Sequence, residues 1–142
     1  MKPTHYLRAG ALTGLLALAA CADKDPTADE TAADESPTFS QLQQEVLIPS
    51  CGGAGCHGAS DPGGALDLES DGAYDALLFD PCDNEVAVAE GLVRVAPGDL
   101  EQSFFYAKIT DPMGMGDLMP PWGMSDEQIT LIEAWILAGA ER

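Results

Sequence analysis

Histidine is nearly missing from this chain, with only His5 and His57 among its 142 residues. His5 falls in a segment read below as removable, so the remainder has no second imidazole to act as a base or to share a metal. Basic residues are scarce too: 6 Lys and Arg stand against 24 Asp and Glu. Nucleic-acid phosphates demand Lys and Arg, so that class of partner is excluded and a solvated acidic surface is expected. Long hydrophobic runs are lacking. The apolar stretch Ala9 to Ala20 is too short for the roughly 20 residues that cross about 30 Å of hydrocarbon, and no later segment approaches that length.

That stretch follows Lys2 and Arg8 and precedes small residues and a cysteine, the layout of a secretory signal, so residues 1–20 are read as a removable export signal. Leu18-Ala19-Ala20-Cys21 resembles the lipobox of bacterial lipoproteins, whose cysteine is acylated and becomes the first residue after cleavage. Cys21 is therefore expected to anchor the chain in a membrane, since two or more acyl chains on one residue hold stably. An ordinary cleavage site that happens to contain cysteine is the alternative. Ala22, rather than aspartate, follows Cys21, and this resembles an outer-membrane address on the periplasmic side of the envelope. Losing Lys2 and Arg8 but no acids changes the balance from 24 acids against 6 bases to 24 against 4.

Residues 21–37 hold no large apolar side chain and cannot bury enough surface to offset ordering, so they are read as an acidic, disordered tether. Residues 38–142 have the size of one domain with a modest core. Thr38 or Ser40 can cap a helix carrying Phe39, Leu42, Val46 and Leu47, which Pro49 is expected to stop. A second short helix is read over Ala73 to Phe79, and Glu85 to Ala96 has enough valine to be extended. Asp99 and Gln102 resemble a capping box opening a helix with Leu100, Phe104, Ala107 and Ile109 on one face. The clearest helix is last: Ser125 and Gln128 form a capping box, Ile129, Ile132, Trp135 and Ile136 its buried face, and Gly139 its end.

The chemistry concentrates in Cys51-Gly-Gly-Ala-Gly-Cys56-His57. Two cysteines followed directly by histidine form the usual attachment signal for covalent heme, in which the thiols add to vinyl groups and the imidazole binds iron. Four residues separate the cysteines here, a spacing that resembles a minority variant among multiheme cytochromes, and three of the four are glycine, which lets a longer loop close on the porphyrin edge. His57, the one histidine beyond the signal, lies directly after Cys56. With no second histidine, the next candidate ligand is a thioether, which raises the reduction potential. Met113, Met115, Met119 and Met124 all lie in one Gly- and Pro-rich segment, where methionines are poorly placed merely to fill a core.

These motifs resemble the cytochrome c-like heme domains common in exported proteins of planctomycetes and related bacteria. The likeness covers most of residues 38–142: the helix before the Cys56-His57-Gly58 triplet, Gly63 to Leu68, Pro97-Gly98-Asp99 with Ser103, Met119-Pro120-Pro121, and Ser125-Asp126-Glu127 leading to Trp135-Ile136. It implies an all-α, cytochrome c-like small helical domain with long loops. It also implies covalent heme c at the Cys56-His57 pair, with Met119 as the distal iron ligand opposite His57, and one-electron exchange with redox partner proteins; the motif itself offers both Cys51 and Cys56 for attachment. Only the resemblance singles out Met119 from the other methionines.

Cys82 leaves two arrangements open. Either Cys51 and Cys56 both form thioethers and Cys82 is free or pairs between molecules, or Cys51 and Cys82 form a disulfide and heme hangs from Cys56 alone. Two rivals do without heme: a lipoprotein interaction module stapled by disulfides, and a structural zinc site on Cys51, Cys56, Cys82 and His57. No catalytic constellation stands out, so an electron carrier is expected rather than an enzyme.

Overall fold

The computed structural model describes residues 36–60 and 63–142; the signal over 1–20, Cys21 and the tether as far as residue 35 lie outside the described residues. The all-α expectation holds: the described residues form helices and loops with two isolated bridges, Val93 to Ser103 and Ala96 to Asp99, and no strand. No helix among them is long and apolar enough to cross a membrane.

Helix α1 (Phe39–Leu42) starts where expected, because the Thr38 hydroxyl accepts the Gln41 N–H at 3.2 Å. Pro49 does not stop it. The chain continues as a π-helical segment, Gln43–Cys51, with Pro49 inside and the Gly52 N–H donating to the Leu47 carbonyl five residues back at 2.9 Å. Proline has no N–H and its ring crowds the carbonyl four residues back, which breaks an α turn; a wider π turn accommodates both. Cys51 thereby sits on the last residue of a helix rather than in the loop after it.

Helix α2 (Ala73–Leu78) matches its expectation. The stretch from Glu85 does not: Glu85–Ala89 is helix α3, opened by Asn84, whose side-chain oxygen accepts the Ala87 N–H at 2.9 Å. The cap outweighs the β preference of two valines, Val86 and Val88, whose side chains are exposed and gain nothing from a strand's packing. Helix α4 (Phe104–Thr110) begins later than expected. Asp99 does accept the Gln102 N–H at 3.1 Å, but that bond closes a turn ahead of the helix. Ser103, fully buried, accepts the Ala96 N–H at 2.9 Å and donates to the Asp99 carbonyl at 2.7 Å, tying the turn onto the helix start. Ile109 is buried as expected, whereas Phe105 is buried and Phe104 and Ala107 are only half-buried.

Helix α5 (Asp126–Leu137) has both halves of its capping box, Ser125 accepting the Gln128 N–H and Gln128 accepting the Ser125 N–H. It ends in a Schellman motif: Gly139 at φ +104° donates to the Ile136 carbonyl and Ala140 to that of Trp135. The early helix packs against α5 around Trp135, which is fully buried, lies 5.7 Å from the Phe39 ring, and donates through its indole N–H to the Glu141 carbonyl at 2.7 Å. Gln128 reaches back from α5 to the Ser50 hydroxyl at 2.7 Å. The end of the π segment, which carries Cys51, is thus fixed to the longest helix.

Candidate functional site

The loop after Cys51 turns back on itself, with the His57 N–H donating to the Cys51 carbonyl at 3.0 Å and the Cys56 N–H to that of Gly53 at 3.2 Å. Glu69 secures it from outside: one carboxylate oxygen accepts the Gly53 N–H at 2.6 Å and the other the Ala59 N–H at 3.3 Å. A side chain at Gly52 would place its Cβ 2.5 Å from that carboxylate and 2.6 Å from the Ile48 carbonyl, so only glycine fits between helix end and clamp. Gln43 in turn holds the segment around Glu69, its amide reaching the carbonyls of Leu68, Glu69 and Ser70 at 3.3, 3.3 and 2.9 Å.

His57 is held by its backbone, whose carbonyl accepts the Leu68 N–H at 2.9 Å, and by its ring, whose Nδ1 lies 2.9 Å from the Leu66 carbonyl. A carbonyl only accepts, so Nδ1 carries a proton, and in the neutral ring Nε2 is the nitrogen left with a lone pair. A ring nitrogen bonded to a backbone carbonyl in this way fixes the ring's orientation, as is typical of imidazoles that bind metals.

His57, Cys51, Cys56 and Met119 all line one cleft of about 540 Å³. The volume falls within the roughly 300–1,000 Å³ usual for cofactor and ligand pockets. Leu66, Leu68, Phe104, Phe105 and Ile109 supply apolar wall, and Pro120, Pro121 and the exposed Trp122 stand at the methionine side. Among the four methionines, Met119 alone lines the cleft: Met115 is buried at 3% exposure, Met124 packs on the core, and Met113 is 75% exposed. The Met119 N–H donates to the Lys108 carbonyl at 2.7 Å, so α4 holds the loop at this residue.

Two cations also line the cleft, Arg94 and Lys108. Arg94 is 7% exposed; one guanidinium nitrogen donates to the Ala76 carbonyl at 2.7 Å, and another lies 3.7 Å from the half-exposed Asp83 carboxylate. A nearly buried guanidinium with so few partners in a mostly apolar wall suits a ligand that brings an anionic group. Reading by motif passed over Arg94, Lys108 and Glu69. Scarcity, which singled out His57, was the available signal for the first two, since they are half of the four bases beyond the signal. Glu69 gave no signal among so many acids.

Cys51, Cys56 and Cys82 are free thiols, and Cys82 is not part of the cleft wall. Burial, with the Cys56 charge second, pushes the Cys51 thiol from 9.0 to about 11. Among the described residues no three His, Cys, Asp or Glu side chains gather where they could hold a metal ion. That removes the four-ligand zinc reading: Cys51, Cys56, Cys82 and His57 do not converge. No protein-family model, curated protein or solved structure matches the chain.

Proposed function

We propose that the chain is a periplasmic c-type cytochrome of cytochrome c-like fold, anchored by lipid on Cys21 on the outer-membrane side of the envelope. Its role is to pass single electrons between redox partner proteins, not to transform a substrate. The observation that carries the reading is the meeting of Cys51, Cys56, His57 and Met119 on one apolar cleft. The side chains suit heme c. Cys51 and Cys56 supply sulfurs that add across its vinyl groups, each S–H giving sulfur to one carbon and hydrogen to the other. His57 through Nε2 and Met119 through its thioether would hold the iron, while Arg94 would pair with a propionate carboxylate. When bound, the heme supplies an iron that cycles between ferric and ferrous states.

The glycine-rich spacer between Cys51 and Cys56, with both cysteines on the cleft and Cys82 outside its wall, supports two thioethers over a Cys51–Cys82 disulfide. The test is the visible spectrum of the purified protein, made in a host with heme-attachment machinery, before and after dithionite. Sharp bands on reduction are expected; a featureless spectrum in both states contradicts the reading.

A further inference from the structure

We propose that Lys108 is a positioning residue, clamping the methionine loop so that Met119 rather than a neighbouring methionine faces the cleft. The proposal rests on the heme reading only for what Met119 is presented to. Both the backbone and the side chain of Lys108 are committed to this loop. Its carbonyl accepts the Met119 N–H at 2.7 Å, while its ammonium donates to the Asp117 carbonyl and lies 3.5 Å from that of Met115. Met119 is therefore gripped at its own amide and again through the four residues before it. Asn84 adds one further tie, donating to the Met115 carbonyl at 3.1 Å.

The use made of this charge is unusual for so acidic a chain. With 17 of the 24 carboxylates among the described residues, the ion pairs there are Arg94 with Asp83 and Arg142 with Asp75. Lys108, the sole lysine after Lys24, forms neither, and spends its ammonium on neutral backbone carbonyls. Charge-assisted bonds of that kind are about twice as strong as neutral ones. They fall on a segment whose glycines, Gly114 and Gly116, would otherwise leave it many conformations. The last turn of α4, where Lys108 sits, also favours a cation through the helix dipole.

Two readouts test this on the full chain. In Lys108→Gln, hydrogen exchange at the Met119 amide should quicken about tenfold or more, while exchange at the Ile132 amide in α5 stays unchanged. In the ferric heme-loaded protein, apparent affinity for added imidazole should rise by a similar factor at equal covalent heme, because the loop yields the iron more readily. Lys108→Arg, which keeps the charge and donors, should restore most of both. Wild-type values for Lys108→Gln in both measurements overturn the proposal. Should Lys108→Gln not fold, acetylating the folded Lys24→Arg protein neutralises Lys108 after folding, and the same readouts decide. If wild type carries no heme, the function above fails on its own account, and Met119 exchange alone judges the clamp.

Discussion

The methionines between Met113 and Met124 fall into different environments, and each environment predicts a different consequence of truncation. Met119→Ala should abolish the weak far-red band that marks iron–thioether bonding in the ferric state, and should lower the reduction potential. Met115 is almost wholly buried, so Met115→Ala should keep that band but cost about 2–5 kcal/mol of stability, read from denaturant midpoints. Met113→Ala, at an exposed position, should change neither. Loss of the band in one of the others but not in Met119→Ala would refute the ligand assignment. Cys51 adds a pH dependence. In the heme-free fold its thiol keeps its proton to about pH 11, whereas an ordinary thiol releases it near 9.0. The folded state is thus favoured fully below pH 9, and roughly 3 kcal/mol is lost as pH rises through 11. The melting temperature of the heme-free chain should therefore fall more steeply over that interval than that of Cys51→Ala. At this scale His57 and the methionine loop were legible because scarcity and clustering are visible in a string. Arg94 and Lys108 gain meaning only from groups distant in sequence or from the cleft they line.

Among the elements, those with a complete local signal were legible and those fixed by distant partners were not. Helix α5 carries its own capping box, buried stripe and terminal glycine, and it forms where they say. The segment after Asn84 was misread because a cap that also reaches the methionine loop outweighs its valines. Pro49 was misread because the rule that proline ends a helix holds for α turns, and this turn is π. The attachment loop shows the same dependence on distant partners, since Glu69 holds it across 16 residues of sequence. Glu69→Ala leaves the Gly53 and Ala59 N–H groups to water and should lower the stability of the heme-free protein by about 1–2 kcal/mol. Denaturant unfolding checks the value. The same variant should show a smaller fraction of chains with covalent heme, because the loop is no longer held ready for attachment.

For the whole molecule, the fold brings one end of the first helix, the loop after it and a loop from the opposite part of the sequence to a single cleft. Net charge is −18, yet two of the few cations line that cleft. If the cleft holds heme as proposed, so acidic a chain would favour redox partners with basic surfaces, through attraction that salt would screen. The central claim, covalent heme on a folded helical domain, is tested most directly by the intact mass of the denatured mature chain from a host with heme-attachment machinery. The expected mass is that of the chain from Cys21 plus its lipid plus one heme, which denaturation does not remove. A mass equal to polypeptide and lipid alone would contradict it.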